Sequence, residues 1–231
     1  VESLNLPFQP RTYQMEAFLH GIKRKRCVLL SPTGSGKSLM IYMLMRWYLE
    51  NHERSVLLIV PTTSLVEQME ADFISYGYDA ETCCHKIYSG KDKVTTKRVV
   101  ITTWQSIYKL GPKWFENFGC IFGDEVHGFK SKSLSSIMNK SYNAEYRFGT
   151  TGTLDGTQVH QLVLEGLFGP VKRVTTTAEL QAKKELADLN IDVIQLGYPS
   201  EDKQKVNHAT YQEEIDFLVQ HETRNRFIRN L

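Results

Sequence analysis

Apolar residues along the chain fall into short runs separated by amphipathic stretches. Five runs, Cys27–Ser31, Val56–Val60, Val99–Thr102, Cys120–Gly123 and Tyr146–Thr150, show almost no polar alternation. Such runs suit strands covered on both faces, the condition of a parallel sheet. Between them the spacing predicts helices over Lys37–Glu50, Thr63–Tyr76, Trp104–Leu110, Ser133–Asn139 and Gln158–Leu164. This alternation predicts a doubly wound α/β domain, a mostly parallel sheet with helices on both faces. Beyond Gly169-Pro170 the texture changes. Thr175-Thr176-Thr177 reads as a cap leading into a polar helix over Ala178–Leu189, Ile191–Leu196 as a further strand, and Tyr211–Leu231 as a surface helix. The expected division is residues 1–180 for the main domain and 181–231 for an appended strand and helix.

Composition narrows the class without naming it. The 231 residues are 41% hydrophobic and 23% charged, a globular balance. A formal net charge of +2 does not announce nucleic-acid binding, so any such binding needs a local patch. Lys23-Arg24-Lys25-Arg26 is one basic run, and Lys91, Lys93, Lys97 and Arg98 form another; each taken alone reads as a solvated turn beside a buried strand. The four cysteines form no C-x-x-C pair, so no zinc site is expected, and Cys27 and Cys120 read as small core residues suited to a reducing compartment. No apolar stretch reaches membrane-spanning length and no signal peptide opens the chain, so a cytoplasmic protein is expected. The first residue is Val1, not Met, the mark expected of a piece of a longer protein. His85 and His160 have no evident chemical partner and read as ordinary residues.

The chemistry concentrates in two places. Residues 29–39, LLSPTGSGKSL, are a strand end, a glycine-rich turn and a helix start. A helix N-terminus offers unpaired N–H groups and partial positive charge to an anion. Thr33, Gly34, Ser35 and Gly36 would line the anion, the two glycines letting the backbone come close. Lys37 would reach the β- and γ-phosphates of ATP, and Ser38 would ligate Mg²⁺. The general pattern G-x-x-x-x-G-K-[ST] has Ser31 in its first position here. The second place is Asp124-Glu125-Val126-His127, after an apolar strand. Ligands of open α/β sheets bind outside the carboxyl ends of strands. Asp124 is therefore a candidate Mg²⁺ ligand, and Glu125 a candidate base for the attacking water.

Taken in order, these segments resemble the first motor domain of a superfamily 2 helicase. Arg11-Thr12-Tyr13-Gln14 resembles the upstream glutamine motif, Ser31–Ser38 motif I, which in this superfamily is A-x-x-G-x-G-K-[ST], and Asp124–His127 the D-E-x-H motif II. Pro61-Thr62-Thr63 resembles motif Ia, Thr102-Thr103-Trp104-Gln105-Ser106 motif Ib, and Thr151-Gly152-Thr153 motif III, with Gly152 where alanine is usual. The resemblance implies a RecA-like fold and an ATP-dependent DNA helicase using ATP and Mg²⁺. It implies that Gln14 reads the adenine edge, and that Pro61, Thr62, Thr63, Thr103 and Gln105 touch the nucleic-acid backbone. It further implies that His127, Thr151 and Thr153 couple hydrolysis to strand movement. Further segments, among them Thr103-Trp104-Gln105 and Thr210–Ile215, are similar to phage recombination helicases of the RecG-like kind. That implies remodelling of branched or single-stranded DNA, and of RNA–DNA hybrids, in replication, repair and recombination. Nothing resembles motifs IV, V or VI, so a second RecA-like domain outside this chain is implied, toward which 181–231 leads. Trp104 and Trp114 could stack on bases, though packing is the better reading of both. A restriction-type DNA translocase motor shares these motifs, and a non-catalytic nucleic-acid-binding module and a small-molecule P-loop kinase stand as further alternatives.

Overall fold

The computed structural model describes residues 4, 6–128, 131–154, 158–187 and 192–231. All seven strands pair in parallel: β1 (Arg26–Leu30), β2 (Ser55–Val60), β3 (Cys84–Ile87), β4 (Val99–Thr103), β5 (Phe118–Gly123), β6 (Tyr146–Thr151) and β7 (Val171–Arg173). Their order across the sheet is β3-β4-β2-β5-β6-β1-β7. Every residue of β4 and β5 is buried, which explains why these strands read as unbroken apolar runs. With the sheet go the helices α1 (Thr12–Arg24), α2 (Lys37–Asn51), α3 (Thr63–Ser75), α4 (Ala80–Cys83), α5 (Trp104–Ile107), α6 (Pro112–Phe115), α7 (Ser131–Lys140), α8 (Gln158–Phe168) and α9 (Thr177–Ala182). The layers form two apolar clusters. Met40, Tyr42, Leu44, Phe73 and Phe148 anchor one; Val28, Ile59, Phe115, Ile137 and Phe168 anchor the other.

Each helix has a local cause. α2 buries Leu39 through Met45 without interruption, so it packs on nearly all sides. α3 starts where the Thr62 hydroxyl accepts the Leu65 N–H, and it buries Val66, Met69 and Phe73 on one face. Helix α1 and strands β3 and β7 were not foreseen. The two strands lie at the sheet edges, where one flank stays open and short mixed sequences such as CHKI and VKR suffice. The expected helix over Trp104–Leu110 is helical only to Ile107 and ends in a turn. Trp104 packs against the second cluster, and Trp114 packs on Phe115 and Phe118 while its Nε1 donates to the Lys93 carbonyl, 2.8 Å. The basic run at 23–26 closes α1, with Lys25 ion-paired to Glu145. Burial pushes the Cys27 thiol up to about 12, as fits an inert core cysteine.

The chain divides into two compact units, Val1–Ala187 and Asp188–Leu231. In the second, α10 (Ser200–Lys205), α11 (Tyr211–Gln220) and α12 (Glu222–Arg229) gather around Tyr198, Phe217 and His221, and His221 Nε2 meets Asp202 at 3.2 Å. Three expectations are corrected here. Residues 192–196 of the expected strand are not strand, and Ile191 lies outside the described residues. Among the described residues no partner strand at this position supplies the ladder that a short run needs. The helix expected over Tyr211–Leu231 is two helices, broken where His221 leaves α-geometry to cap the second. The helix expected over Ala178–Leu189 stops at Ala182, and residues 188–190 lie outside the described residues.

β5 carries a bulge: Ser55 pairs with Phe118 and Val56 with Cys120, leaving Gly119 unmatched. A Cβ on Gly119 would stand 2.1 Å from the Tyr48 hydroxyl and 2.9 Å from Arg54 Cβ. Gly119→Ala is therefore expected to destabilise by about 1–3 kcal/mol through overpacking. Thermal unfolding should read this as a fall of about 2–12 °C in Tm. Adding Tyr48→Phe, which removes the closest atom, should recover part of it.

Candidate nucleotide site and strand-binding rim

β6 lies between β1 and β5, so the phosphate-loop segment and the acidic segment leave the same rim two strands apart. Two ladder spacings are about 10 Å, a gap that two long side chains can bridge. Lys37 Nζ meets Glu125 Oε1 at 3.1 Å across it. The Gly152 N–H donates to Glu125 Oε2, 3.3 Å. His127 Nδ1 lies 2.7 Å from the Thr151 hydroxyl and 3.3 Å from Glu125 Oε2. Because the Thr151 hydroxyl donates to the Thr153 carbonyl, 2.7 Å, the imidazole must be the donor in its bond with Thr151. Lys37, Glu125, His127, Thr151 and Thr153 thus form one connected polar chain.

Within the loop, Ser35 is fully buried. Its hydroxyl donates to the Pro32 carbonyl, 2.6 Å, and meets the Ser31 hydroxyl at 2.7 Å. Thr33 and Gly34 are exposed, and Gly34 and Gly36 sit at φ of 80° and 77°. Gln14 packs behind the loop: Nε2 donates to the Ser35 carbonyl, 2.9 Å, and Oε1 accepts the Arg11 N–H, 2.9 Å. A Cβ on Gly36 would lie 2.4 Å from Gln14 Nε2. This glycine therefore makes room for Gln14, a contact the linear sequence did not reveal. Tyr13, also missed, donates its hydroxyl to the same Ser35 carbonyl, 3.0 Å.

Asp124 is 7% exposed, and its Oδ1 accepts the Thr150 hydroxyl at 2.6 Å. Desolvation raises its carboxyl above the ordinary 3.8, against the opposing pull of the Thr150 bond. Glu125 follows in a left-handed conformation, φ 49°, uncommon for a residue with a side chain and typical of functional turns. The Ser38 hydroxyl meets the Tyr76 hydroxyl at 2.8 Å. Among the described residues no cluster of three or more His, Cys, Asp or Glu could hold a metal by itself. A carboxylate and a hydroxyl are oxygen donors of the kind that Mg²⁺ takes alongside substrate phosphates and water.

Further along the rim, Pro61 follows β2 and Thr103 ends β4, beside a groove of about 690 Å³. Thr62 and Thr63 are exposed in it, Gln105 Nε2 donates to the Pro61 carbonyl, 3.3 Å, and the Thr103 and Ser106 hydroxyls meet at 2.8 Å. Tyr88, Ser89, Gly90, Lys91 and Lys93 line its other wall. Of these, only the lysines drew attention in the sequence; the rest were hidden because β3 was not recognised. A larger cavity, about 790 Å³, opens at the opposite rim around Tyr48, Arg54, Arg98 and Tyr146, away from all of these motifs.

The parallel sheet, the glycine-rich loop after β1 and the acidic turn after β5 define a RecA-like nucleotide-binding domain. A family model described as Type III restriction enzyme, res subunit, matches residues 7–156, and the chain belongs to that family, as a first motor domain of superfamily 2. It is 36% identical over 235 residues to the ATP-dependent DNA helicase UvsW of Enterobacteria phage T4, covering 100% of this chain and 47% of UvsW. It is 28% identical over 214 residues to the DNA 3'-5' translocase XPB2 of Sulfurisphaera tokodaii, covering 89% of this chain and 45% of that one. A solved structure of T4 UvsW superposes with a TM-score of 0.68 at 37% identity, over 93% of this chain and 42% of UvsW. The helicase domain of Pyrococcus furiosus Hef shares the fold at 19% identity, with a TM-score of 0.66 over 86% of this chain and 45% of that one. The chain thus spans about half the length of these relatives. No helix among the described residues is long and apolar enough to cross a membrane.

Two outcomes follow from this geometry. A buried carboxylate with a raised pKa costs stability once the pH exceeds its unfolded value. Asp124→Asn should therefore raise Tm by about 2–4 °C at pH 7, the shift expected for about 1 kcal/mol in a domain of this size. The gain should shrink as the pH falls toward 4 and vanish below it. A Cβ on Gly152 would meet Lys37 Nζ, Ser31 O and Thr33 Oγ1 at 3.7–3.8 Å, ordinary contact. Gly152→Ala should thus leave the unfolding free energy unchanged within about 0.5 kcal/mol, read by thermal unfolding.

Proposed function

We propose that this chain is the ATP-binding half of an ATP-driven DNA helicase that remodels branched DNA and R-loops in replication, repair and recombination. The Lys37–Glu125 pair carries the reading, because it joins the anion-binding loop to the acidic turn across β6. Phosphate groups entering the loop compete for the Lys37 ammonium. Losing Lys37 releases one Glu125 oxygen, which is then free to orient a water and take its proton. Binding thereby arms the base. Ser38 and Asp124 would hold Mg²⁺, which would supply charge neutralisation for the phosphates. Thr33, Gly34, Ser35 and Gly36 surround the phosphates, and Gln14 fixes the loop from behind while marking the adenine side.

His127, Thr151 and Thr153 couple the state of Glu125 to β6, since one hydrogen-bond chain includes all four. DNA lies along the rim, where Pro61, Thr62, Thr63, Thr103 and Gln105 offer backbone and hydroxyl contacts and Lys91 and Lys93 offer charge. Binding of this kind ignores sequence and weakens with salt. A second RecA-like domain, outside this chain, completes the motor with arginines, a contribution worth roughly 10³–10⁵ in rate in related systems. The site of action is the cytoplasm, that of the host if the protein is phage-encoded. The family description favours a second reading, a restriction-type DNA translocase motor; a nuclease domain in the parent protein would decide for it.

ATPase measurements on the parent-length protein test the reading, with single-stranded, duplex and branched DNA and with RNA. Glu125→Gln should lower the stimulated rate by about 10²–10⁴, and Lys37→Ala should abolish nucleotide-dependent activity. Equal rates in all three proteins would remove the mechanism, and stimulation by branched DNA alone would favour the recombination reading.

A further inference from the structure

The outer face of the phosphate loop meets a segment that no motif covers. α9 ends in a Schellman turn. Lys184 is left-handed, φ 55°, and donates its N–H to the Gln181 carbonyl, 2.8 Å, while the Glu185 N–H donates to the Leu180 carbonyl, 2.9 Å. The Leu186 N–H donates to the same carbonyl, 3.3 Å, and Leu180 itself is fully buried. The turn sends Glu185 and Leu186 back onto the loop along two routes. The apolar route is direct: Leu186 Cδ1 lies 2.9 Å from where a Cβ of Gly34 would stand. The polar route is a relay. Glu185 Oε2 meets Arg11 Nε at 3.4 Å, Arg11 Nη1 donates to the Tyr13 hydroxyl, 3.0 Å, and that hydroxyl donates to the Ser35 carbonyl, 3.0 Å. Both routes end on neighbouring residues of the loop.

We propose that Glu185 and Leu186 form a latch over the phosphate loop, competing with nucleotide and released by it. The idea rests on the nucleotide reading of the loop. A missing side chain at Gly34 keeps space in which a phosphate could approach the backbone. The Leu186 methyl stands in that space, so latch and nucleotide exclude one another there. The closed latch is only lightly held. Glu185 Oε2 is buried, yet it has the charge contact with Arg11 and no well-formed hydrogen bond. Lys184 adds the cost of a left-handed residue with a side chain. Nucleotide entry therefore lifts the residues by which the chain leaves the sheet domain, and Arg11 and Tyr13 transmit the change as positioning residues.

Two measurements on this chain test the latch. Binding of a non-hydrolysable ATP analogue with Mg²⁺ is measured by calorimetry for the native chain, Leu186→Ala, Glu185→Gln and Lys37→Ala. Leu186→Ala should tighten binding by about threefold to tenfold, the gain from removing a closed state that excludes ligand. Glu185→Gln should shift it the same way by less, and Lys37→Ala should remove it. Hydrogen exchange of the native chain should show the Glu185 and Leu186 amides exchanging faster when nucleotide is added. Unchanged or weaker binding by Leu186→Ala, with Lys37-dependent binding intact, overturns the latch alone, as does slower exchange at those two amides. Absence of Lys37-dependent binding in every protein overturns the nucleotide reading and the latch together.

Discussion

The insertion of β6 between β1 and β5 is the constraint on which the site depends. Its register sets Thr150 and Thr151 opposite Leu29 and Leu30, and Phe148 and Gly149 opposite Phe122 and Gly123. The backbone ladder continues past the strands: the Ser31 N–H donates to the Thr151 carbonyl, 2.9 Å, so the phosphate loop starts from a fixed point. On the other flank the Thr150 hydroxyl holds Asp124. A shift of one residue would turn each of these threonines to the opposite face of the sheet, breaking the link to the acidic turn. Apolar burial of β6, with Phe148 and Thr151 almost wholly enclosed, is what prevents such a slip.

Around that strand the site is stressed, not relaxed. Asp124 is a buried carboxylate with its proton affinity raised, and Glu125 holds a left-handed backbone. Both features cost free energy, and the packed sheet behind them supplies the rigidity that makes them tolerable. The polar groups that face the rim meanwhile satisfy one another, Lys37 with Glu125 and Glu125 with His127. On the proposed reading, a phosphate-bearing ligand competes for Lys37 with this existing partner. The same rim extends past β5 to β2 and β4, where helix starts and hydroxyls stand beside Lys91 and Lys93.

Much of this was legible in the sequence where burial was complete and spacing short. The five central strands read correctly because parallel strands sheltered on both faces admit little but apolar residues. The turn from β1 into α2 was legible because glycines at 34 and 36 meet a local requirement of backbone shape. Edge strands β3 and β7 did not read, because an open flank relaxes the demand on their side chains. The break at His221 and the non-strand region after residue 191 were missed for a related reason: nothing buries those segments strongly enough to impose a period.

By itself, the sequence supplied candidate residues for phosphate chemistry and determined that alternating strands and helices would carry them. Only the tertiary structure decided which of those residues meet. Lys37 and Glu125 are 88 positions apart, and their contact follows from strand order, which depends on crossover connections and on the burial of whole faces. The roles of Tyr13, of Gln14 behind Gly36 and of Leu186 over Gly34 were likewise invisible along the chain. Local rules fix conformation within a few residues, whereas contacts of this range are set by the packing of the complete sheet.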